Sequence, residues 1–160
     1  MGRLWIALAL VSIAFPAAAQ SGGSQGERAD AISKETLDSL STDYLSRGNE
    51  FAEKGFYDLA IADYTTAIER LPPDANVYNA RAWAFHLKGE DAKGLPDANQ
   101  AIALAPTDAY SIETRAEIFE KLGERDRAVA DYRKTLSLVP SGSDTAEDAS
   151  AGLKRLGVAP

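Results

Sequence analysis

Apolar residues recur along this chain in helical steps that restart every 34 residues. Tyr44, Gly48 and Phe51 fall at i, i+4 and i+7, one stripe of a helix that Lys54-Gly55 stops. Tyr57, Ala60, Ile61, Tyr64, Ala67 and Ile68 trace the face of a second helix. Pro72-Pro73 ends it, since proline cannot continue a helix interior, and Asp74 is placed to cap the next one. Tyr78, Ala82 and Phe85 then lead to Gly89, and Ile112, Ala116 and Phe119 to Gly123. Ala128, Val129, Tyr132, Thr135 and Leu136 mark another second helix, closed by Pro140. The middle copy is irregular: Gly94-Leu95-Pro96 stands where the others have Ala60-Ile61-Ala62 and Ala128-Val129-Ala130. Proline is tolerated in a first turn but not deeper, so this helix is expected to begin near Leu95 and run through Ala98, Ala101 and Ile102 to Pro106. Glu90 to Gly94 is then a looser connection or a kinked first turn.

Several positions keep strict phase. Gly55, Gly89 and Gly123 share a register, as do Phe51, Phe85 and Phe119, and Pro72, Pro106 and Pro140. A repeat of this length is a helix pair too small to bury its apolar face alone, so copies must stack. The units are 41–74, 75–108 and 109–142. Small residues sit where paired helices must approach: Gly48, Ala82 and Ala116 on one side, Ala60, Gly94 and Ala128 on the other. The phenylalanines fill the gaps between units.

Arg47 lies eight residues before Gly55 and Asp63 eight after it, so an antiparallel pair folded at Gly55 brings them to similar height. The same holds for Arg81 and Asp97 about Gly89, and for Arg115 and Asp131 about Gly123. A charge-assisted bond across each helix pair, or to the adjoining unit, is expected. A charged ligand site is the other reading, but repetition in every unit suits a fold device better.

The ends differ from the repeats. Arg3, the apolar run Leu4 to Phe15, Pro16 and then Ala17-Ala18-Ala19 have the layout of a secretory signal peptide over 1–19, cut after Ala19. The run is shorter than the roughly 18 apolar residues of a membrane span. Gln20 to Leu40 is expected to be a flexible segment, a Gly/Ser spacer with a possible short helix over Ala31 to Leu40. After Ser141-Gly142-Ser143, the sequence Asp144-Thr145-Ala146-Glu147 has capping-box spacing, and Ala149, Leu153 and Leu156 form one stripe before Gly157. A helix over 143–157 would cover the open face of the last unit.

Composition narrows the function. The chain has no Cys, which excludes disulfide staples and a lipid anchor on a cysteine. Its formal charge of −7 repels nucleic-acid phosphates and acidic lipid surfaces and favours basic partners. No phosphate-cradling glycine loop, zinc spacing or nucleophile with a base appears. No enzyme activity, cofactor or metal is expected.

The repeated residues resemble the tetratricopeptide-repeat family, whose pattern is an aromatic, two residues, Leu-Gly, two residues, an aromatic, then Ala, three residues, an aromatic, and later Pro. The copies read Tyr44, Arg47-Gly48, Phe51, Ala60, Tyr64, Ala67, Pro72; then Tyr78, Arg81-Ala82, Phe85, Gly94, Ala98, Ala101, Pro106; then Ile112, Arg115-Ala116, Phe119, Ala128, Tyr132, Thr135, Pro140. Arg replaces the usual Leu throughout, a familiar variant beside the Asp partner. The ending Leu153-Lys154-Arg155-Leu156-Gly157 resembles that of many exported bacterial members. The resemblance implies an all-α, right-handed superhelix of three helix-turn-helix repeats with a C-terminal capping helix. It also implies a concave groove, lined by the first helix of each pair, that holds a peptide or partner protein.

The stripe beside the packing stripe should face that groove: Leu45, Asn49 and Ala52, then Asn79, Trp83 and His86, then Glu113, Glu117 and Glu120, with Thr42, Asn76 and Tyr110 at the rim. Trp83 is an anchor candidate. Asn49 and Asn79 suit an extended peptide backbone. His86, the only His, lacks the partners of a metal or catalytic site. The family's clamp for a terminal carboxylate needs Lys and Arg where this chain has Leu45, Glu113 and Glu117, so an acidic tail is excluded. The expected partner carries a basic segment and an apolar side chain near Trp83. These readings converge on a periplasmic or secreted, non-enzymatic adaptor without stable membrane insertion. The alternative is a structural subunit of an envelope or secretion assembly that works through the convex face.

Overall fold

The structure, a computed structural model, describes residues 25–160, with the side chains of 25–35, 37, 38 and 41 excepted. The expected signal peptide and the start of the spacer lie outside the described residues. Among the described residues seven helices follow one another: α1 (Gln25–Glu53), α2 (Tyr57–Arg70), α3 (Ala75–Leu87), α4 (Asp91–Leu104), α5 (Ala109–Lys121), α6 (Arg125–Leu138) and α7 (Asp144–Arg155). Among the described residues there are no strands. Helices α1 to α6 form three antiparallel pairs and α7 closes the stack.

One turn geometry is used four times. Gly55, Gly89, Gly123 and Gly157 all have φ between 71° and 79°. That left-handed conformation is open to glycine without a Cβ clash. It lets the next residue's N–H reach back to the carbonyl five positions earlier: Phe56 to Phe51, Glu90 to Phe85 and Glu124 to Phe119, each at 2.8 Å, and Val158 to Leu153 at 2.9 Å. Leu153 and Gly157 therefore continue the phase of Phe119 and Gly123. Helix α7 stands where the first helix of a fourth unit would begin.

Packing sets the curvature. Within each pair, Ala60, Ala82, Ala98, Ala116 and Ala128 are fully buried. A Cβ on Gly48 would fall against the Tyr64 ring, and one on Gly94 would lie 2.8 Å from the Ala82 carbonyl oxygen. The first helices also touch one another, α1 with α3, α3 with α5 and α5 with α7, whereas α2, α4 and α6 make no such mutual contacts. The layer that packs closer is the inner one, so α1, α3, α5 and α7 form the concave face. Ala149 and Leu153 of α7 are fully buried in a cluster with Phe119 and Tyr132, which covers the last unit.

Three expectations are corrected. Helix α4 begins at Asp91, not near Leu95, and takes in Gly94 and Pro96. Its first turn is held by the Lys93 and Gly94 N–H groups on the Glu90 carbonyl. Pro96 removes only the bond to the carbonyl of Ala92, an exposed residue that water can reach. At the N-terminus there is no break between a spacer, a short helix and the first unit: α1 runs unbroken for 29 residues. At the last helix, Ser143 rather than Asp144 is the N-cap, its hydroxyl accepting from the Ala146 N–H, so the expected capping box is out of register by one residue. Asp74 and Asp108 cap α3 and α5 through the N–H groups of Asn76 and Ser111.

Candidate functional site

The concave face is held in place by ion pairs on its flank. Arg47 binds Asp63, Arg81 binds Asp97 and Arg115 binds Asp131, each through two parallel N–H···O bonds of 2.6 to 3.0 Å. The remaining guanidinium nitrogen reaches backward. Arg81 donates to Thr65 at 3.0 Å and Arg115 to Asn99 at 2.9 Å, each on the second helix of the preceding unit. One arginine therefore fixes both the angle within its pair and the step between units. The bond with Asp97 raises the pKa of Arg81 further, against the effect of its burial.

Trp83, on α3, is 36 % exposed and separates two cavities. The larger, of about 380 Å³, opens between α3, α5 and α7; Asn79, Tyr110, Glu113, Glu117, Asp144 and Asp148 line it with Trp83. The smaller, of about 250 Å³, is bounded by Asn49, Ala52, Tyr64, Ala80 and Leu87. Asn49, Asn79, Trp83, Glu113 and Glu117 thus line these two adjoining cavities, with Tyr110 63 % exposed. Leu45 instead packs into the cluster around Tyr64.

Two expected groove residues are committed elsewhere. The Glu120 carboxylate accepts from Arg155 at 2.9 and 3.0 Å and from the Tyr132 hydroxyl at 2.7 Å. The arginine bond holds its pKa below the ordinary carboxylate value. Glu120 therefore anchors α7. The His86 ring stacks on Trp83 at 5.0 Å, and its Nδ1 lies 2.6 Å from Asp91 Oδ1. His86 thus braces the indole from behind with its side chain only 11 % exposed. The reason is the same for both: a nearby group from outside the stripe offers a stronger partner than solvent does.

What remains of the stripe is electrostatically unsettled. Glu113 Oε1 and Asn79 Oδ1 are buried and lack a hydrogen-bond partner. Burial, with Glu117 and Asp148 nearby, pushes the Glu113 carboxyl up to about 7. Burial also raises Glu117, against the pull of His86 and Arg155. Asn49 is partly used, since its Oδ1 accepts from the Tyr64 hydroxyl at 2.7 Å.

Asp144 and Asp148 are site residues that the repeat pattern missed, because α7 carries only the end of the repeat. Leu153 and Gly157, in phase with Phe119 and Gly123, were the available sign that α7 adds a wall to the groove. Among the described residues, no group of three or more His, Cys, Asp or Glu is arranged to hold a metal ion, and no helix is long and apolar enough to cross a membrane.

No protein-family model matches the chain, and no curated protein does. Solved structures do match. The second TPR domain of human RPAP3, in complex with the HSP70 peptide SGPTIEEVD, is 26% identical with a TM-score of 0.69, over 76% of this chain and 98% of that one. The second TPR of Spaghetti (RPAP3), bound to the HSP90 peptide SRMEEVD, is 27% identical with a TM-score of 0.67, over 72% of this chain and 100% of that one. The Arabidopsis OM64 TPR domain is 26% identical with a TM-score of 0.69, over 75% of this chain and 96% of that one. With the 34-residue phase and the stacked helix pairs, these likenesses show that the chain has the tetratricopeptide-repeat fold.

Proposed function

We propose that this chain is a non-enzymatic adaptor that captures an extended segment of a partner protein on the face made by α1, α3, α5 and α7, and that it works outside the cytoplasm after removal of 1–19. The observation that carries the reading is the pair of orphaned atoms at the cavity wall, Asn79 Oδ1 and Glu113 Oε1. A buried polar atom without a partner costs about 1–3 kcal/mol, and a bound segment's N–H groups would relieve it. Trp83 between the two cavities supplies an aromatic anchor.

The RPAP3 domains hold peptides ending in Glu-Glu-Val-Asp. Here Glu113, Glu117 and Asp148 would repel such an end, so the segment this chain takes is basic. Export is supported by Arg3, the apolar run Leu4 to Phe15 and the small residues Ala17 to Ala19.

A photoreactive residue at position 83, compared with one at the exposed Arg133 on α6, tests the reading in cells. Capture from position 83 that disappears in a Glu113→Lys, Glu117→Lys variant supports the groove. Capture from position 133 alone would turn the reading toward a structural subunit using the outer face. A mature chain whose mass corresponds to a start at Gln20 supports export, and an intact N-terminus would oppose it.

A further inference from the structure

We propose that the cavity between α3, α5 and α7 is a subsite for one lysine or arginine side chain of the captured segment, with the charged head among Glu113, Glu117 and Asp148 and the methylene stem along Trp83 and Tyr110. The proposal rests on the adaptor reading and deepens it, naming the one side chain and the cavity that receives it.

Four features of the cavity support it. First, its carboxylates have no direct ionic partner, since His86 and Arg155 act on Glu117 only from a distance. Among the described residues no cation pairs with Glu113 or Glu117, because Arg155 is held by Glu120 and His86 by Asp91. A half-buried carboxylate without a counter-ion is costly, and an incoming cation removes that cost. Second, the chain shows the same chemistry on itself. Glu113, Glu117 and Glu120 lie at i, i+4 and i+7 along α5, and the chain's own Arg155 occupies the Glu120 end through two bonds. The Glu113 and Glu117 end is left open. Third, the walls are mixed: an indole and a phenol suit an aliphatic stem and a cation over an aromatic face. Fourth, the volume of about 380 Å³ admits a long side chain, and the carboxylates do not converge as metal ligands do.

Proton linkage follows. The charged groups around Glu113 are Glu117 on its own helix and Asp148 on α7, with Asp144 on the same cavity wall beside the neutral Asn79, Trp83 and Tyr110; His86 on α3, Arg155 on α7 and Glu120 on α5 act on Glu117. Burial keeps Glu113 protonated up to about pH 7. A bound cation favours its ionised form, so binding releases a proton below that pH and weakens as the solution is acidified.

The test uses the full chain labelled with ¹⁵N-tryptophan, the Trp83 indole signal being assigned with a Trp83→Phe variant. N-acetyl-arginine amide is titrated at pH 8 and low salt against N-acetyl-citrulline amide, its neutral isostere. The expected result is a saturable shift at a concentration about tenfold lower for the arginine compound, lost on acidification to pH 5. A Glu113→Gln, Asp148→Asn variant should lose about tenfold while its thermal unfolding stays cooperative. Equal effects of the two compounds, no shift with either, or an indifferent variant would overturn the subsite. If position 83 captures a partner while the arginine compound neither binds nor competes, the adaptor reading survives and the subsite falls. If the arginine compound binds and nothing is captured, the subsite survives and the adaptor reading falls.

Discussion

Arg81 meets Asp97 side-on, Nε to Oδ2 at 2.7 Å and Nη2 to Oδ1 at 2.8 Å, with side chains 18 % and 9 % exposed. The equivalent Arg47 is 57 % exposed against 12 % for Asp63. Solvent screens the Arg47–Asp63 pair more strongly, so the three repeats should not be energetically equal. A double-mutant cycle on Arg81 and Asp97, read by denaturant unfolding, should give a coupling of about 1–3 kcal/mol. The Arg47 and Asp63 cycle should give a smaller coupling. Zero coupling at Arg81 would refute the claim that this pair fixes the hairpin.

Two glycines five residues apart should respond to alanine for different reasons. At Gly89 a Cβ meets nothing within 4 Å, but φ is +79°, so Gly89→Ala should cost about 1 kcal/mol through the backbone alone. Asn, which tolerates that conformation better, should recover part of it. At Gly94 the backbone is helical and alanine would be favoured by about 1 kcal/mol intrinsically. There the added Cβ lies 2.8 Å from the Ala82 carbonyl, a backbone atom that cannot swing aside. Gly94→Ala should therefore be the worse change, by about 1–2 kcal/mol net. Thermal unfolding of the two variants side by side decides the order.

Glu113 makes stability fall with rising pH. Folded, it holds its proton up to about pH 7; unfolded, it releases it near 4.5. Between those values the folded state binds more protons, so stability is lost as pH rises through the window and levels off above it. With allowance for the solvent that reaches this half-buried group, the loss should be about 1–2 kcal/mol. Glu113→Gln should abolish that slope and match or exceed the parent at pH 8. A parent curve that rises from pH 4.5 to 7 by the amount the variant's does would contradict the burial argument.

Arg155 fastens the last helix through Glu120 and the Tyr132 hydroxyl, contacts that span 35 and 23 residues. Arg155→Gln should raise amide hydrogen exchange across 144–155 while α1 to α4 keep their protection. The cost should be about 1 kcal/mol, since the arginine side chain is 52 % exposed. Exchange that rises evenly along the chain would show that α7 is not a separate cooperative unit.

The helix pairs, their turns and the stripe they present were legible in the amino-acid order. Those features follow from local rules: apolar spacing, a positive φ at Gly55, Gly89 and Gly123, and a fixed eight-residue offset of Arg and Asp from each of these glycines. Repetition supplied the rest, because a residue type kept in phase reports the same environment each time. Which groove residues are left without a protein partner emerges only once the helices are stacked. Glu120 is taken by Arg155, His86 is turned to Asp91, and Asp144 and Asp148 join Glu113 from a helix where most of the repeat pattern has lapsed. Those pairings depend on side chains meeting across the stack outside the 34-residue phase, so periodicity carries no record of them. The start of α4 at Asp91 is a similar case. A proline rule judged by position alone predicted a delay, and packing against α3 with Ala92 exposed removed the need for one.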